Sequence, residues 1–279
     1  MGASAPDGTA GGRVSVGQEP VAISFEGVSK SFGDGRVVAL DRVSMAIRNR
    51  EFLTIVGPSG SGKTTFLRLI NRLADPTDGS VHVDGVNVRE TDPIALRRRI
   101  GYVFQGIGLF PHLTVGENIA ITPKLLGWSR ARIKSRVDEL LELVRLDSAQ
   151  YRNRFPHELS GGERQRIGVA RAIAAEPGIV LMDEPFGALD ALTRDALGDD
   201  YRRLHDELGL TTVMITHDTS EAVFLSDRIA VMRAGRVVTT GTPHDLMIAE
   251  QPFVRELMQT PRRHAARLAG LMQRNAPHA

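Results

Sequence analysis

The sequence has no cysteine in its 279 residues. This removes disulfides, iron–sulfur clusters, cysteine-ligated zinc and thiol nucleophiles together, and it fits a reducing compartment. The longest stretch free of charge, Ile100 to Gly116, is broken by Gln105, Pro111, His112 and four glycines. A bilayer span takes about 20 mostly apolar residues, so no segment reads as one. No internal repeat is visible. With 42% hydrophobic and 24% charged residues, disordered, collagen-like and coiled-coil chains are also excluded. The length suits one large domain or two small ones.

The net charge is +2, and its location is informative. Between Leu257 and Ala279 stand four arginines (Arg262, Arg263, Arg267, Arg274) and no acid; removing them leaves 31 basic against 33 acidic residues. A nucleic-acid binder needs a basic patch on its folded body, and composition gives no sign of one, so nucleic acid is not an expected partner. The opening run, Gly2 to Pro20, is small, polar and glycine-rich, without the apolar core of a secretory signal. A disordered tail is expected over 1–20, and the cytoplasm is the default location.

Short β-type runs follow: Ala22–Phe25 leading to Val28 and Phe32, then Val37–Leu40, Val43–Ile47 and Phe52–Val56. The last is almost wholly apolar, as a buried parallel strand requires; it enters a glycine loop and a predicted helix, Thr64–Leu73. Val81–Val83 and Ile100–Phe104 read as strands. Ile133, Val137, Leu140, Leu141 and Val144 then share one helical face, and Arg164–Ala175 is a second helical stretch, so 109–176 reads as a helical insertion. Ile179–Met182 and Thr212–Thr216 are strands on either side of a helix marked by Leu197, Tyr201, Leu204 and Leu208. Ile229–Met232 and Val237–Thr240 form a hairpin turning at Ala234–Gly235. This alternation predicts an α/β fold with a parallel sheet covered by helices on both faces.

The strongest local signal is Gly57-Pro58-Ser59-Gly60-Ser61-Gly62-Lys63-Thr64, followed by Thr65. It matches the phosphate-binding loop and lies between a strand and a helix, as that motif requires. The glycines let successive N–H groups converge on phosphate oxygens at a helix N-terminus. Lys63 reaches the β- and γ-phosphates of a nucleotide, and the Thr64 hydroxyl suits Mg²⁺. The second signal is Ile179-Val180-Leu181-Met182-Asp183-Glu184, an apolar strand ending in two acids at the sheet edge where α/β folds place ligands. Asp183 suits Mg²⁺ held through water, and Glu184 suits a general base on the attacking water. The third is Leu159-Ser160-Gly161-Gly162-Glu163-Arg164-Gln165. Ser160 and the amides of Gly161 and Gly162 open a helix and make a second phosphate-binding site.

This third segment resembles the signature of the ABC (ATP-binding cassette) ATPases. The resemblance extends over about 21–258, with the family's motifs in order. It implies a P-loop ABC ATPase fold: a RecA-like parallel-sheet core, a small antiparallel β subdomain and the inserted helical subdomain. Gln105 stands at the family's Q-loop, implying roles in catalysis and at Mg²⁺. Ala188-Leu189-Asp190 stands at the D-loop, His217 at the switch histidine, and Phe32 where an aromatic ring lies against adenine. The resemblance implies ATP and Mg²⁺ as cofactors. The sequence departs from the family in Glu163, where glutamine is usual, and in Phe32, which lacks the hydroxyl of the commoner tyrosine.

The resemblance also implies partners. In the family the signature of one subunit caps the ATP of the other, so a head-to-tail homodimer with two ATP sites is expected; Ser160, Gly161, Gly162, Glu163 and Asp190 would then face the partner's nucleotide. The run from Ile100 to Ala120, Thr216-His217-Asp218 with Glu221-Ala222, Asp227–Met232 and Phe253–Arg263 are similar to the ATPase subunits of osmoprotectant importers, for glycine betaine, carnitine or choline. Two transmembrane permease subunits, an extracytoplasmic solute-binding protein acting indirectly, and a place on the cytoplasmic face of the membrane are implied. The basic tail, 259–279, is expected to hold no regulatory module.

Overall fold

The computed structural model describes residues 20–259 apart from 34 and 107, together with 261 and 263. The tail expected over 1–20 lies outside the described residues except for Pro20, as does most of the basic tail at 259–279.

The described residues open with β1 (Val21–Phe32), β2 (Val37–Arg48), β3 (Phe52–Val56), α1 (Lys63–Ile70), β4 (Asp78–Val83), β5 (Val86–Asn87), α2 (Pro93–Arg99) and β6 (Ile100–Val103). Helices follow: α3 (Val115–Ile119), α4 (Ile121–Leu125), α5 (Arg130–Leu143), α6 (Ser148–Tyr151), a 3₁₀ turn (Pro156–Glu158) and α7 (Gly161–Ile173). The remainder is β7 (Ile179–Asp183), α8 (Ala191–Leu208), β8 (Thr211–Thr216), α9 (Thr219–Leu225), β9 (Arg228–Arg233), β10 (Arg236–Gly241), α10 (Pro243–Ile248) and α11 (Pro252–Leu257).

Two sheets result. One is antiparallel, in the order β2-β1-β4-β5; the other runs β10-β9-β3-β8-β7-β6 and is parallel except for β10. The central strands β3, β7 and β8 are buried at every residue, which is why β3 and β7 are nearly continuous apolar runs; β8 buries Thr211, Thr212 and Thr216 beside its apolar residues. Helix α1 lies between the sheets, where Phe66 stacks on Phe25 of β1 at 4.0 Å between ring centroids. On the far face of the parallel sheet, α3, α5, α7 and α8 share a core that includes Ile119, Leu140, Ile167, Met182 and Tyr201.

Several predicted elements differ in extent. The runs ending at Phe32 form one 12-residue strand, and Val37–Leu40 and Val43–Ile47 join as β2. Bulges between Phe25 and Val28, with Gly27 at φ 60°, carry β1 through its break in alternation. The helix predicted to reach Leu73 ends at Ile70, where Arg72 takes a left-handed backbone. Helix α2, unforeseen, starts at an Asp92 cap followed by Pro93. No helix among the described residues is long and apolar enough to cross a membrane.

Candidate active site

The strand order brings the three sequence signals to one edge. Val56 of β3 pairs with Thr216 of β8, Asp183 of β7 with Ile215 of β8, and Val103 of β6 with Met182 of β7. The glycine loop after β3, Glu184 after β7, His217 after β8 and Gln105 after β6 therefore leave the sheet side by side at its carboxyl edge.

In the loop, glycine is required at two positions. A Cβ on Gly57 would collide with the Met232 carbonyl oxygen, and one on Gly62, at φ 102°, with that of Ala39. Pro58, Ser59 and Gly60 are exposed, while Thr64 and Thr65 are half-buried in the first turn of α1. The Lys63 ammonium donates to the carbonyls of Gly57 at 2.8 Å and Pro58 at 3.1 Å. Burial pulls its pKa down, against the opposing charges of Glu184 and Asp183. The Ser61 hydroxyl is buried with no hydrogen-bond partner among the described residues. Such an orphan costs about 1–3 kcal/mol, and a ligand with polar oxygens in the loop would relieve it. The loop's glycine backbone, its helix N-terminus and this hydroxyl fit a phosphate chain. The oxygen donors Thr64 and Asp183 fit Mg²⁺, which takes one or two carboxylates plus substrate phosphates. Burial raises the Asp183 pKa, while the Tyr102 hydroxyl, donating to its Oδ2 at 3.4 Å, works the other way.

Beside the loop, three side chains meet at one atom. Gln105 Nε2 donates to Glu184 Oε2 at 3.1 Å, and His217 Nδ1 lies 3.3 Å from the same oxygen. Gln105 and His217 are exposed and Glu184 half-buried. Glu184 itself has a left-handed backbone, φ 46°, held by its N–H to the Ile215 carbonyl at 2.9 Å. A carboxylate oriented in this way by two neighbours can accept a proton from water.

The signature residues lie elsewhere in the hydrogen-bond network. Ser160 caps α7 in a reciprocal box: its Oγ accepts from the Glu163 N–H at 3.3 Å, and Glu163 Oε2 accepts from the Ser160 N–H at 2.7 Å. Tyr151 donates its hydroxyl to Glu163 Oε1 at 2.5 Å and thereby holds that carboxyl below its usual range. The negative charge that departs from the family pattern is thus committed to the helix start. A Cβ on Gly162 would stand 2.7 Å from Thr193 Cγ2, so α7 opens tight against α8. Asp190 is exposed and caps α8 through the Thr193 N–H. Phe32, at the end of β1, is 46% exposed, with the Lys30 ammonium 4.9 Å from its ring centroid. Among the described residues no hydrogen bond joins Ser160–Glu163 or Asp190 to the loop at 57–65. Tyr102 and Tyr151 carry no mark in the linear sequence; the first is placed by the pairing of β6 with β7, the second by the packing of α6 and α7 against α5.

Residues 40–187 match the family model described as ABC transporter. The chain belongs to the ABC transporter family. Its parallel core, antiparallel sheet and inserted helices are the mixed fold expected from the sequence. Among curated relatives of this family member, the choline transport ATP-binding protein OpuBA of Bacillus subtilis is 50% identical over 225 residues, 81% of this chain and 58% of that protein. The glycine betaine uptake system ATP-binding protein YehX of Escherichia coli is 46% identical over 235 residues, 84% of this chain and 75% of that protein. The chain thus spans less than two thirds of the length of the first of these. A dimeric, post-hydrolysis structure of the ATP-binding cassette MJ0796 bound to ADP and Pi is similar with a TM-score of 0.71 and 34% identity, over 79% of this chain and 98% of that one.

Proposed function

We propose that the chain is the ATP-hydrolysing subunit of an importer that takes up a quaternary-ammonium compatible solute such as glycine betaine, choline or carnitine. The observation that carries the catalytic part is the meeting of Gln105 and His217 on Glu184 Oε2, at the sheet edge that also holds the Lys63 loop.

In this reading the backbone of Gly57–Gly62, with Thr65, cradles the phosphates, and Phe32 lies against the adenine. Lys63 exchanges its bonds to the Gly57 and Pro58 carbonyls for charge-assisted bonds to the β- and γ-phosphates. Thr64, Asp183 and Gln105 would hold Mg²⁺, whose charge would offset that of the phosphates. Glu184 takes a proton from water as the water oxygen bonds to the γ-phosphorus and the β–γ bridging bond breaks, giving ADP, phosphate and a proton. His217 and Gln105 hold the Glu184 carboxylate and the water in line.

Ser160, Gly161 and Gly162, with Glu163 and Asp190, act on the nucleotide of a second copy in a head-to-tail homodimer. The dimeric form of the MJ0796 cassette supports this arrangement. ATP then favours the closed dimer through its greater affinity for that state, and hydrolysis releases it. The names of the choline and betaine relatives support the solute class. Two permease subunits carry the solute, an extracytoplasmic binding protein delivers it, and this chain sits at the cytoplasmic face of the membrane. The test has two stages. Affinity purification from detergent-solubilised membranes should recover permease subunits. Calorimetry on the cognate binding protein with glycine betaine, choline, carnitine, a sulfonate and amino acids should show tight binding of a quaternary amine. Binding of only an anionic or uncharged solute overturns the solute class and leaves the ATPase reading intact.

A further inference from the structure

Arg194 lies in the first turn of α8, where the helix dipole is positive and a cation is unfavourable. Its presence is explained by its contacts. Its NH2 group donates to the carbonyl of Leu189 at 3.0 Å, the residue just before Asp190. Its NH1 group donates to Asp218 Oδ2 at 3.0 Å, the residue just after His217. Its Nε faces Glu221 Oε1 at 3.6 Å. The other oxygen of Glu221 accepts from the Thr216 hydroxyl at 2.6 Å, the residue just before His217, and Thr216 Oγ1 in turn accepts from the Asp218 N–H at 3.0 Å. His217 is therefore flanked on both sides by residues bound into one frame, and the guanidinium joins that frame to the backbone of the 187–190 loop.

We propose that Arg194 is a positioning residue that couples the Gly187–Asp190 loop to the His217 loop, so that the position of the first sets whether His217 reaches Glu184. The proposal rests on the hydrolytic reading of the Glu184 site. The planar fork of arginine can satisfy separate acceptors along several directions, which a lysine ammonium on a flexible stem does not do. The frame is also incomplete in a telling way. Arg194 Nε and Glu221 Oε1 are both buried and neither has a hydrogen-bond partner among the described residues. They stand 3.6 Å apart, so an approach of well under 1 Å brings them to hydrogen-bond distance. Burial pushes the Glu221 carboxyl above its usual range, against the pull of the Thr216 hydroxyl. A displacement of the 187–190 loop acts on the Leu189 carbonyl, turns Arg194, closes or opens this last contact, and so shifts the strand end that carries His217. The 187–190 loop adjoins α7 as well: a Cβ on Gly161 would stand 3.7 Å from Leu189 Cδ2. Arrival of a second copy at the signature would thus be felt at His217.

Two measurements on the full-length chain test this. In a crystal structure of Arg194→Ala, His217 Nδ1 should no longer be within hydrogen-bond distance of Glu184; an unchanged contact overturns the proposal whether or not the chain hydrolyses ATP. In ATPase kinetics, Arg194→Ala should lower kcat by about 10²-fold, the usual cost of a misplaced group, with KM for ATP changed by no more than about twofold. Arg194→Lys should recover only part of the loss. Because Arg194 acts through His217, Arg194→Ala with His217→Ala should be no slower than His217→Ala alone. Multiplying losses in the double variant overturn the proposal. Should Arg194→Ala fail to fold, Asp218→Asn keeps the α9 cap and must show the same non-additivity. A wild-type chain that does not turn over ATP refutes the hydrolytic reading, and the crystallographic arm still decides the role of Arg194.

Discussion

Replacement of Glu184 by Gln separates binding from chemistry. The side chain keeps its size, and its amide oxygen can still accept from Gln105 Nε2, which now donates to Glu184 Oε2 at 3.1 Å. The variant cannot take a proton from water. Loss of a general base costs roughly 10²–10⁴-fold in rate, equivalent to roughly 2.7–5.4 kcal/mol of barrier at 1.36 kcal/mol per decade. Binding should survive, because among the described residues no hydrogen bond joins Glu184 to the loop at 57–65. Two opposing electrostatic changes are expected. Glu184 is the largest of the charges that support the Lys63 ammonium against burial, so its loss lowers the Lys63 pKa further. The same loss removes a negative charge from beside the phosphates. At neutral pH the second effect dominates, and ATP should bind as well as to wild type or more tightly. The assay pairs phosphate release with binding of a fluorescent ATP analogue and gel filtration with ATP. A dimer should accumulate with nucleotide retained. Near-normal hydrolysis, or loss of binding, refutes the assignment of Glu184 as base.

Three further expectations follow from the same geometry. Ser160→Arg should abolish hydrolysis while the Lys63 loop of the same chain still binds nucleotide, and mixing it with Lys63→Ala chains should restore at most one working site per dimer; normal turnover by Ser160→Arg alone rules out the sandwich. Gly62→Ala places a side chain at φ 102° and against the Ala39 carbonyl oxygen, and should cost about 1–3 kcal/mol of stability, read as a lower Tm together with weaker nucleotide binding. Burial depresses the Lys63 pKa, so the ammonium is fully present at low pH and is lost as pH rises through the depressed value; nucleotide affinity should therefore decline at a lower pH than an ordinary lysine would give, and a decline only above the usual lysine range contradicts this.

The parts of the fold that were legible in the sequence are those where burial is complete. Phe52–Val56 and Ile179–Met182 sit in the middle of a parallel sheet, where both faces are covered and, Thr54 apart, every residue is apolar. The first two strands were harder to read because bulges and the left-handed backbone of Arg42 break the alternation that marks a strand. Helix α2 buries only Leu96, which leaves no periodic stripe to detect. In the candidate site, the loop at 57–64 and Asp183–Glu184 could be singled out because their residue types carry chemistry at recognisable spacings, whereas Gln105 and His217, single residues without such a pattern, were pointed to only by the resemblance to the ABC family. Their partners could not. Tyr102, Tyr151 and Arg194 meet Asp183, Glu163 and the loop pair only through strand pairing and helix packing, which local sequence does not encode.

The left-handed backbone at Glu184 bears on how this protein would respond to engineering. A non-glycine residue at φ 46° stores about 1–3 kcal/mol of conformational strain. The N–H bond from this position to the Ile215 carbonyl depends on the backbone and survives any substitution but proline. Glycine at 184 would keep that bond, release the strain and remove the carboxylate. Directed evolution for heat tolerance alone would consequently enrich variants that have discarded the candidate base, a stability–activity trade-off set by one dihedral angle. Libraries built on this scaffold need a turnover screen alongside the thermal one, or codon 184 held fixed.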